Sequence, residues 1–255
     1  MKASNLEFED ESFKTYLKDS LGILEVKEDA YSSLTQINEG FKVIDWFEEL
    51  KRKSSVLGIL VLSDPKFNCK ILYEKFLSLI SGENLVESEP HKIQTLNTEL
   101  RSKQINMLHN LTLNTLEFPK LVISFINGCV VTPFIGTTLA SDIKIATKDT
   151  IFSFAHKKYG LHPTGAIPFF LYESLGYSRT KKLLYTKNEI TANELLELGL
   201  IDKVIEEYNF DEIFEYANKM VQENSNIATT KELINKSLLD QYKEFMELEE
   251  HMVFS

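Results

Sequence analysis

The chain is poor in the residues that bend a backbone. Its 255 residues include 10 glycines and 6 prolines. That scarcity excludes collagen-like and low-complexity classes and leaves little material for phosphate-cradling loops. Neither a P-loop nor a Gly-x-Gly-x-x-Gly is present. The 2 cysteines, Cys69 and Cys129, are too few for a disulfide scaffold and form no zinc spacing. They are expected to be reduced, buried thiols in a cytoplasmic protein. Positive charge is also in deficit, with 28 Lys and Arg against 38 Asp and Glu and a net charge of −10. Nucleic acid and anionic membrane are therefore not expected as partners, because both attract a basic face. The longest apolar runs, Val56–Leu62 and Leu121–Val131, are too short or too interrupted to span a bilayer. The opening MKASNLEFEDES is acidic, has no apolar core and does not read as a secretory signal.

Hydrophobic residues make up 43% of the chain and charged residues 26%, enough for one large core with a small appendage. LGILEV, SVLGILVLS and LVISFI read as strands, the last two buried on both faces. Phe41, Ile44, Phe47 and Leu50 recur every three residues, one face of a helix over Gly40–Lys53. A helical stretch KILYEKFLSLI and one long helix over His91–Leu116 are predicted next. Asn127-Gly128 marks a turn. Thr132 is the expected N-cap of a short helix over Pro133–Ala140. DIKIA and Ile151–Phe154 read as short strands, and Tyr159–Gly165 as a loop. Helices are predicted at Pro168–Leu175 and Arg179–Tyr185. Thr191 and Glu194 form a capping box. A strand over Leu200–Ile205 and helices over Asp211–Asn224 and Ala228–Phe254 complete an α/β order with a helical tail.

Between Phe118 and Ile205 these elements carry specific wording: FPKLVISFING, then SDIKIA, IFSF, GLHP, ESLG and YTKNEITANELLELGLIDKVI. This region resembles the crotonase superfamily, the enoyl-CoA hydratase/isomerase family. The family pattern is a proline-led strand into Asn-Gly, a glycine-rich turn and helix, and Asp-Ile with a strand. A Phe-led strand, a Gly-x-x-Pro loop, a helix ending in Leu-x-Gly and a closing Gly-Leu-Val stretch follow. The resemblance implies an α/β fold, a crotonase-like spiral of ββα repeats over residues 1–205 with 1–20 as an arm. Residues 206–255 would be oligomerisation helices of a homotrimer or hexamer. It also implies an acyl-CoA thioester ligand, coenzyme A being part of the substrate and no separate cofactor or metal being needed. The chemistry implied is that of a lyase or isomerase of fatty acid metabolism passing through an enolate.

In that family two backbone N–H groups hold the thioester oxygen, each worth on the order of 3 kcal/mol, and two glutamates manage the water and the proton. This sequence departs at every one of those points. The first donor turn reads Phe67-Asn68-Cys69-Lys70-Ile71-Leu72 without glycine, which makes Ile71 the expected donor. The second donor position falls on Pro133, which has no N–H, so Phe134 at the following helix start is expected instead. The glutamate positions fall on Gly136 and His156. A standard hydratase mechanism is therefore not expected. His156 is the expected acid–base group, with His162 of the Gly-Leu-His-Pro loop as a second catalytic candidate. Thr132, Gly136, Tyr159 and Lys157 are expected to line the substrate site. Lys157-Lys158 and Arg179, Lys181 and Lys182 are candidate phosphate contacts. His91, His109 and His251 have no motif around them. Two other readings stand beside the atypical enzyme: a non-catalytic acyl-CoA-binding or scaffold subunit, and a β-diketone C–C bond hydrolase using His156. For the hydrolase, the family's later acidic position falls on Gly165.

Overall fold

A computed structural model describes residues 6–27, 30, 37–63, 69–86, 89, 91–94 and 96–254, with the backbone alone for 37–39, 69, 70, 253 and 254. Two nearly continuous apolar runs dictate its centre. GILVLS and LVISFI have no polar face, so both must be covered on two sides. They form β4 (Gly58–Ser63) and β5 (Leu121–Ile126), neighbours in a seven-stranded sheet. The sheet begins with β1 (Phe8–Glu9) and β2 (Phe13–Lys18), antiparallel to each other and, through β2, to β3 (Leu21–Val26). From β3 onward every pairing is parallel: β4, β5, β7 (Ile143–Thr147) and β10 (Lys203–Ile205). Part of the segment expected as an arm is thus sheet. Phe13 enters the core and Thr15 is buried beneath it.

Alternation along the strands sorts the covers. Ile59 and Val122 face α1 (Ile37–Arg52), meeting Trp46, Phe47 and Leu50. Leu60, Leu121, Ile123 and Phe125 face the opposite way, onto Ile213, Phe214, Ala217 and Val221 of α7 (Phe210–Glu223). α2 (Cys69–Ser81) and α3 (Thr98–Glu117) build a second core with Tyr159.

A smaller sheet stands beside the large one. It contains β6 (Cys129–Val131), β8 (Ile151–Ser153) and β9 (Glu189–Thr191), with β6 parallel to β8. Gly128, at φ 82°, turns the chain from β5 into β6. Strands then alternate between sheets: β5 large, β6 small, α4 (Phe134–Leu139), β7 large, β8 small. This is a spiral of ββα turns. α5 (Ile167–Thr186) is broken at Gly176, where φ 70° and ψ 171° leave the helical region, next to Leu175, the residue at which the sequence predicts the first helix to end. The capping box at Thr191 forms both of its bonds and opens α6 (Ala192–Glu197).

Three expectations change. α3 starts at Thr98, not His91, because the Asn97 side chain accepts from Leu100 N–H and caps the helix there. Thr132 is not the cap of α4; Pro133 holds that position with no side-chain bond, and the Thr132 hydroxyl is used elsewhere. Cys129 is disulfide-bonded, not a reduced thiol. Its strand β6 packs on α2, the helix that begins with the chain's other cysteine, whose side chain lies outside the described residues. Among the described residues no helix is long and apolar enough to cross a membrane.

The tail helix α8 (Ala228–Phe254) is tied to this frame by a buried cation. Lys231 is 6% exposed, and its Nζ donates to Asp142 Oδ2 at 2.7 Å and to the carbonyls of Lys120 and Thr115. The same carboxylate oxygen accepts from Val122 N–H in β5. Lys231→Met should cost about 3 kcal/mol in urea denaturation, because it strands a partly buried carboxylate and two carbonyls. A loss below about 1 kcal/mol would show that α8 is held by its apolar face alone.

Candidate functional site

The parallel pairing of β6 and β8 sets Val131 opposite Ser153. The residues leaving both strands therefore emerge side by side. Thr132 N–H donates to the Ser153 carbonyl at 3.2 Å. The chain after β8 tightens into a 3-10 turn, Ala155–Tyr159, which brings His156 back over the end of β6. There His156 Nδ1 lies 2.9 Å from Thr132 Oγ1, and both side chains are buried. The threonine hydroxyl has one proton to share between this nitrogen and the Ser153 carbonyl at 3.4 Å. Given to the carbonyl, it leaves Nδ1–H donating to the hydroxyl and Nε2 as the basic nitrogen. Among the described residues Nε2 has no hydrogen-bond partner.

Burial depresses the His156 pKa from 6.5 to about 4, and the positive charges of Lys157, Arg101 and His162 push the same way. The ring is therefore neutral at physiological pH. Around it lie groups from α2 and α3. Tyr159 O–H donates to Glu74 at 2.9 Å, and the Tyr73 and Tyr159 rings meet edge to face. Desolvation, aided by Glu74, pushes the Tyr159 hydroxyl pKa upward, so it stays protonated.

The other expected site residues divide. His162 is exposed, yet near enough for its charge to act on His156. Lys157 Nζ is engaged by the Lys187 carbonyl at 2.7 Å. Ile71 is the third residue of α2 and Phe134 the first of α4, so both stand in a first helical turn. Of the first donor turn, residues 67 and 68 lie outside the described residues, as do the side chains of 69 and 70. Gly136 is not a lining residue in the expected sense. A Cβ there would run into the Gly165 carbonyl, and one at Gly165 into the Pro133 carbonyl. Backbone fills the space beside position 136, where the resemblance would put a glutamate. His109, without a motif in sequence, is buried and bonded to Glu249 of α8 at 2.8 Å, whose other oxygen accepts from Ala166 N–H.

Beside this polar layer is an apolar cavity of about 130 Å³. Val131, Phe134 and Thr137 form one wall, Leu111 and Thr115 of α3 another, and Leu24, Val61 and Ser124 the sheet side. Phe134 also packs in the core that holds Tyr159.

The family model for enoyl-CoA hydratase/isomerase matches residues 82–255. The chain belongs to that family. The solved enoyl-CoA hydratase from Bacillus halodurans superposes with a TM-score of 0.75 at 20% identity, covering 94% of this chain and 92% of that one. Among curated relatives, the short-chain-enoyl-CoA hydratase of Clostridium acetobutylicum is 27% identical over 165 residues, 63% of this chain and 60% of that protein. The ethylmalonyl-CoA decarboxylase of Mus musculus is 22% identical over 205 residues, 68% and 64% respectively. The chain thus spans less than two thirds of the length of these curated relatives. Its fold is the crotonase spiral.

Two buried groups near the site escaped the motif reading. Arg101 and Gln104 lie on the covered face of α3. The signal was available: Arg101, Gln104, Leu108, Leu111 and Thr115 recur at helical spacing, a polar pair inside an apolar stripe.

Two tests follow from this geometry. Gly136→Ala should cost about 2 kcal/mol or more by overpacking backbone against backbone, so Gly136→Glu should fail to fold rather than restore a hydratase carboxylate. A Gly136→Ala protein as stable as wild type would show that the loop yields. For His156 the unfolded chain takes up the proton first, at pH 6.5, and the folded one only near pH 4. The stability tied to the neutral ring is therefore complete above pH 6.5 and is lost as pH falls toward 4, roughly 3 kcal/mol in all. Wild type and His156→Gln, denatured in urea at pH 7, 5.5 and 4.5, should converge by most of that amount, about 2.5 kcal/mol. Parallel curves would place the ring in water.

Proposed function

We propose that the protein is an acyl-CoA thioester enzyme that passes through an enolate without the two-glutamate water of a hydratase. The observation that carries the reading is the Thr132–His156 pair. An imidazole at the family's acid–base position is fixed through Nδ1 and kept neutral, with Nε2 left to accept a proton. The α-proton of the acyl group would go to Nε2 and return from it at a different carbon, which is isomerase-type chemistry. The proposed oxyanion donors are the backbone N–H groups of Ile71 and Phe134, replacing the one that Pro133 lacks. The acyl tail would occupy the 130 Å³ cavity behind Phe134. That volume resembles a cavity known to take benzene, so it favours a short tail of about four to six carbons.

A protein that binds thioesters without turning them over is the second reading. It is favoured by the depth of His156, 3% exposed, and by the closed Gly136 position. The hydrolase reading finds less support, because the partner of His156 is a hydroxyl and not a carboxylate. The assembly is proposed to be a homotrimer or hexamer, in keeping with the family.

Turnover of short enoyl-CoA thioesters should fall about 10²–10⁴-fold in kcat in His156→Ala with KM nearly unchanged. Binding by the wild type without any turnover would replace the enzyme with the second reading.

A further inference from the structure

Arg101 is a buried cation without an anion. It is 3% exposed, and its Nη1 donates to Gln104 Oε1 at 2.7 Å. Its Nε is buried and meets no acceptor, and the amide nitrogen of Gln104, equally buried, meets none either. Among the described residues no carboxylate lies within ion-pair distance of it. The two carboxylates of the surrounding layer have other work. Glu74 accepts from Tyr159, and Glu249 from His109 and Ala166 N–H.

Its place in the helix adds to the imbalance. Arg101 stands in the first turn of α3, where the helix dipole is already positive and repels a cation. Inside the fold the charge of Glu249 favours the guanidinium without forming an ion pair with it, and negative charge from outside would stabilise it further. A planar fork with an amide N–H beside it matches the two oxygens of a carboxylate. The charge of Arg101 also reaches His156, so the two groups share one polar layer.

We propose that Arg101 and Gln104 form a carboxylate-binding site, and that the carboxylate is carried by the acyl group of the substrate. This rests on the thioester reading above, directs the carboxylated end of the acyl group to Arg101 and Gln104 instead of the apolar cavity, which neither residue lines, and narrows the substrate to acyl thioesters bearing a second, ionised carboxyl group. With no such ligand bound, Arg101 and Gln104 keep two buried donors unsatisfied. When it binds, Arg101 Nε and Gln104 Nε2 both donate to it.

The test compares succinyl-CoA and malonyl-CoA with butyryl-CoA in calorimetric titration, and free succinate with succinamide in thermal unfolding. Both use the full chain, Arg101→Met and Gln104→Glu. Arg101→Met replaces the charge with an apolar chain of similar length, which a core accepts. Gln104→Glu supplies the missing carboxylate internally and should raise the unfolding midpoint, so one variant is expected to fold at least as well as wild type. The expected result is a preference for the carboxylated thioesters of about tenfold or more in wild type. Both variants lose it while keeping butyryl-CoA affinity. If no thioester binds but succinate alone raises the wild-type midpoint and not that of Arg101→Met, the thioester reading fails. The carboxylate site then stands, with a free acid as its source. If all thioesters bind equally in all three proteins and succinate shifts nothing, the carboxylate site is overturned and the thioester reading survives. If no thioester binds and succinate has no effect, both fall.

Discussion

Three residues of parallel pairing decide where this protein keeps its polar chemistry. Because β6 and β8 run the same way with Val131 opposite Ser153, the backbones after them leave at the same height. Thr132 then bonds the Ser153 carbonyl through its N–H and meets His156 through its hydroxyl. A slip of one residue would turn Val130 and Phe152 outward and bury polar neighbours in their place. Phe152 is fully buried in the core beneath the small sheet, so that slip is strongly opposed. The hydroxyl–imidazole contact thus follows from how apolar residues pack the opposite side of a short strand pair.

The same packing bears on the positions where the sequence reading expects departures from the family. α4 and the loop before α5 touch backbone to backbone, with Gly136 against Gly165 and Gly165 against Pro133. Only hydrogen fits at either position, and Gly165 also takes φ 78°, which favours glycine. A carboxylate at position 136 and this close contact are mutually exclusive. The second departure, His156, fits that loss. With no carboxylate opposite it, the imidazole has only positive neighbours, Lys157, Arg101 and His162, and it sits buried as the neutral ring. The charges that reach this neutral base are positive, while the carboxylates of Glu74 and Glu249 are bonded to Tyr159 and His109.

Much of this architecture is legible in the sequence because the core strands state their own burial. LVISFI and GILVLS announce two-sided strands, Asn127-Gly128 announces the sheet-to-sheet turn, and Thr191 with Glu194 forms the capping box it spells. The start of α3 was not legible in the same way, since residues 91–96 continue a helix-like apolar pattern. Asn97 overrides that pattern with a side-chain cap. Thr132 misleads for a related reason. A threonine before proline is a good cap by composition, but β8 offers its hydroxyl a better-placed imidazole and carbonyl. At the site, spacing singled out His156, while its burial and its charged surroundings depend on contacts that spacing does not state, among them Arg101 of α3, distant in sequence. The resemblance directed attention to residues that the family uses and away from α3, where Arg101 lies.

Two buried cations among the described residues make the contrast that gives Arg101 its meaning. Lys231 is 6% exposed and Arg101 3%. Both are pulled toward neutrality by desolvation. Lys231 offers three protons and finds three acceptors, one of them a carboxylate oxygen that also accepts from a strand N–H. Its burial is compensated atom by atom, as structural ions in protein interiors generally are. Arg101 offers five N–H groups, and among the described residues a single amide oxygen accepts from it. A lysine there would be free to give up its proton and settle as a neutral amine, but a guanidinium cannot. Desolvation that a structural residue would have escaped by deprotonation or pairing is here retained, within reach of the buried imidazole of His156. A charge that cannot be discharged, and that no carboxylate bonds among the described residues, is the basis for proposing that its partner arrives from outside.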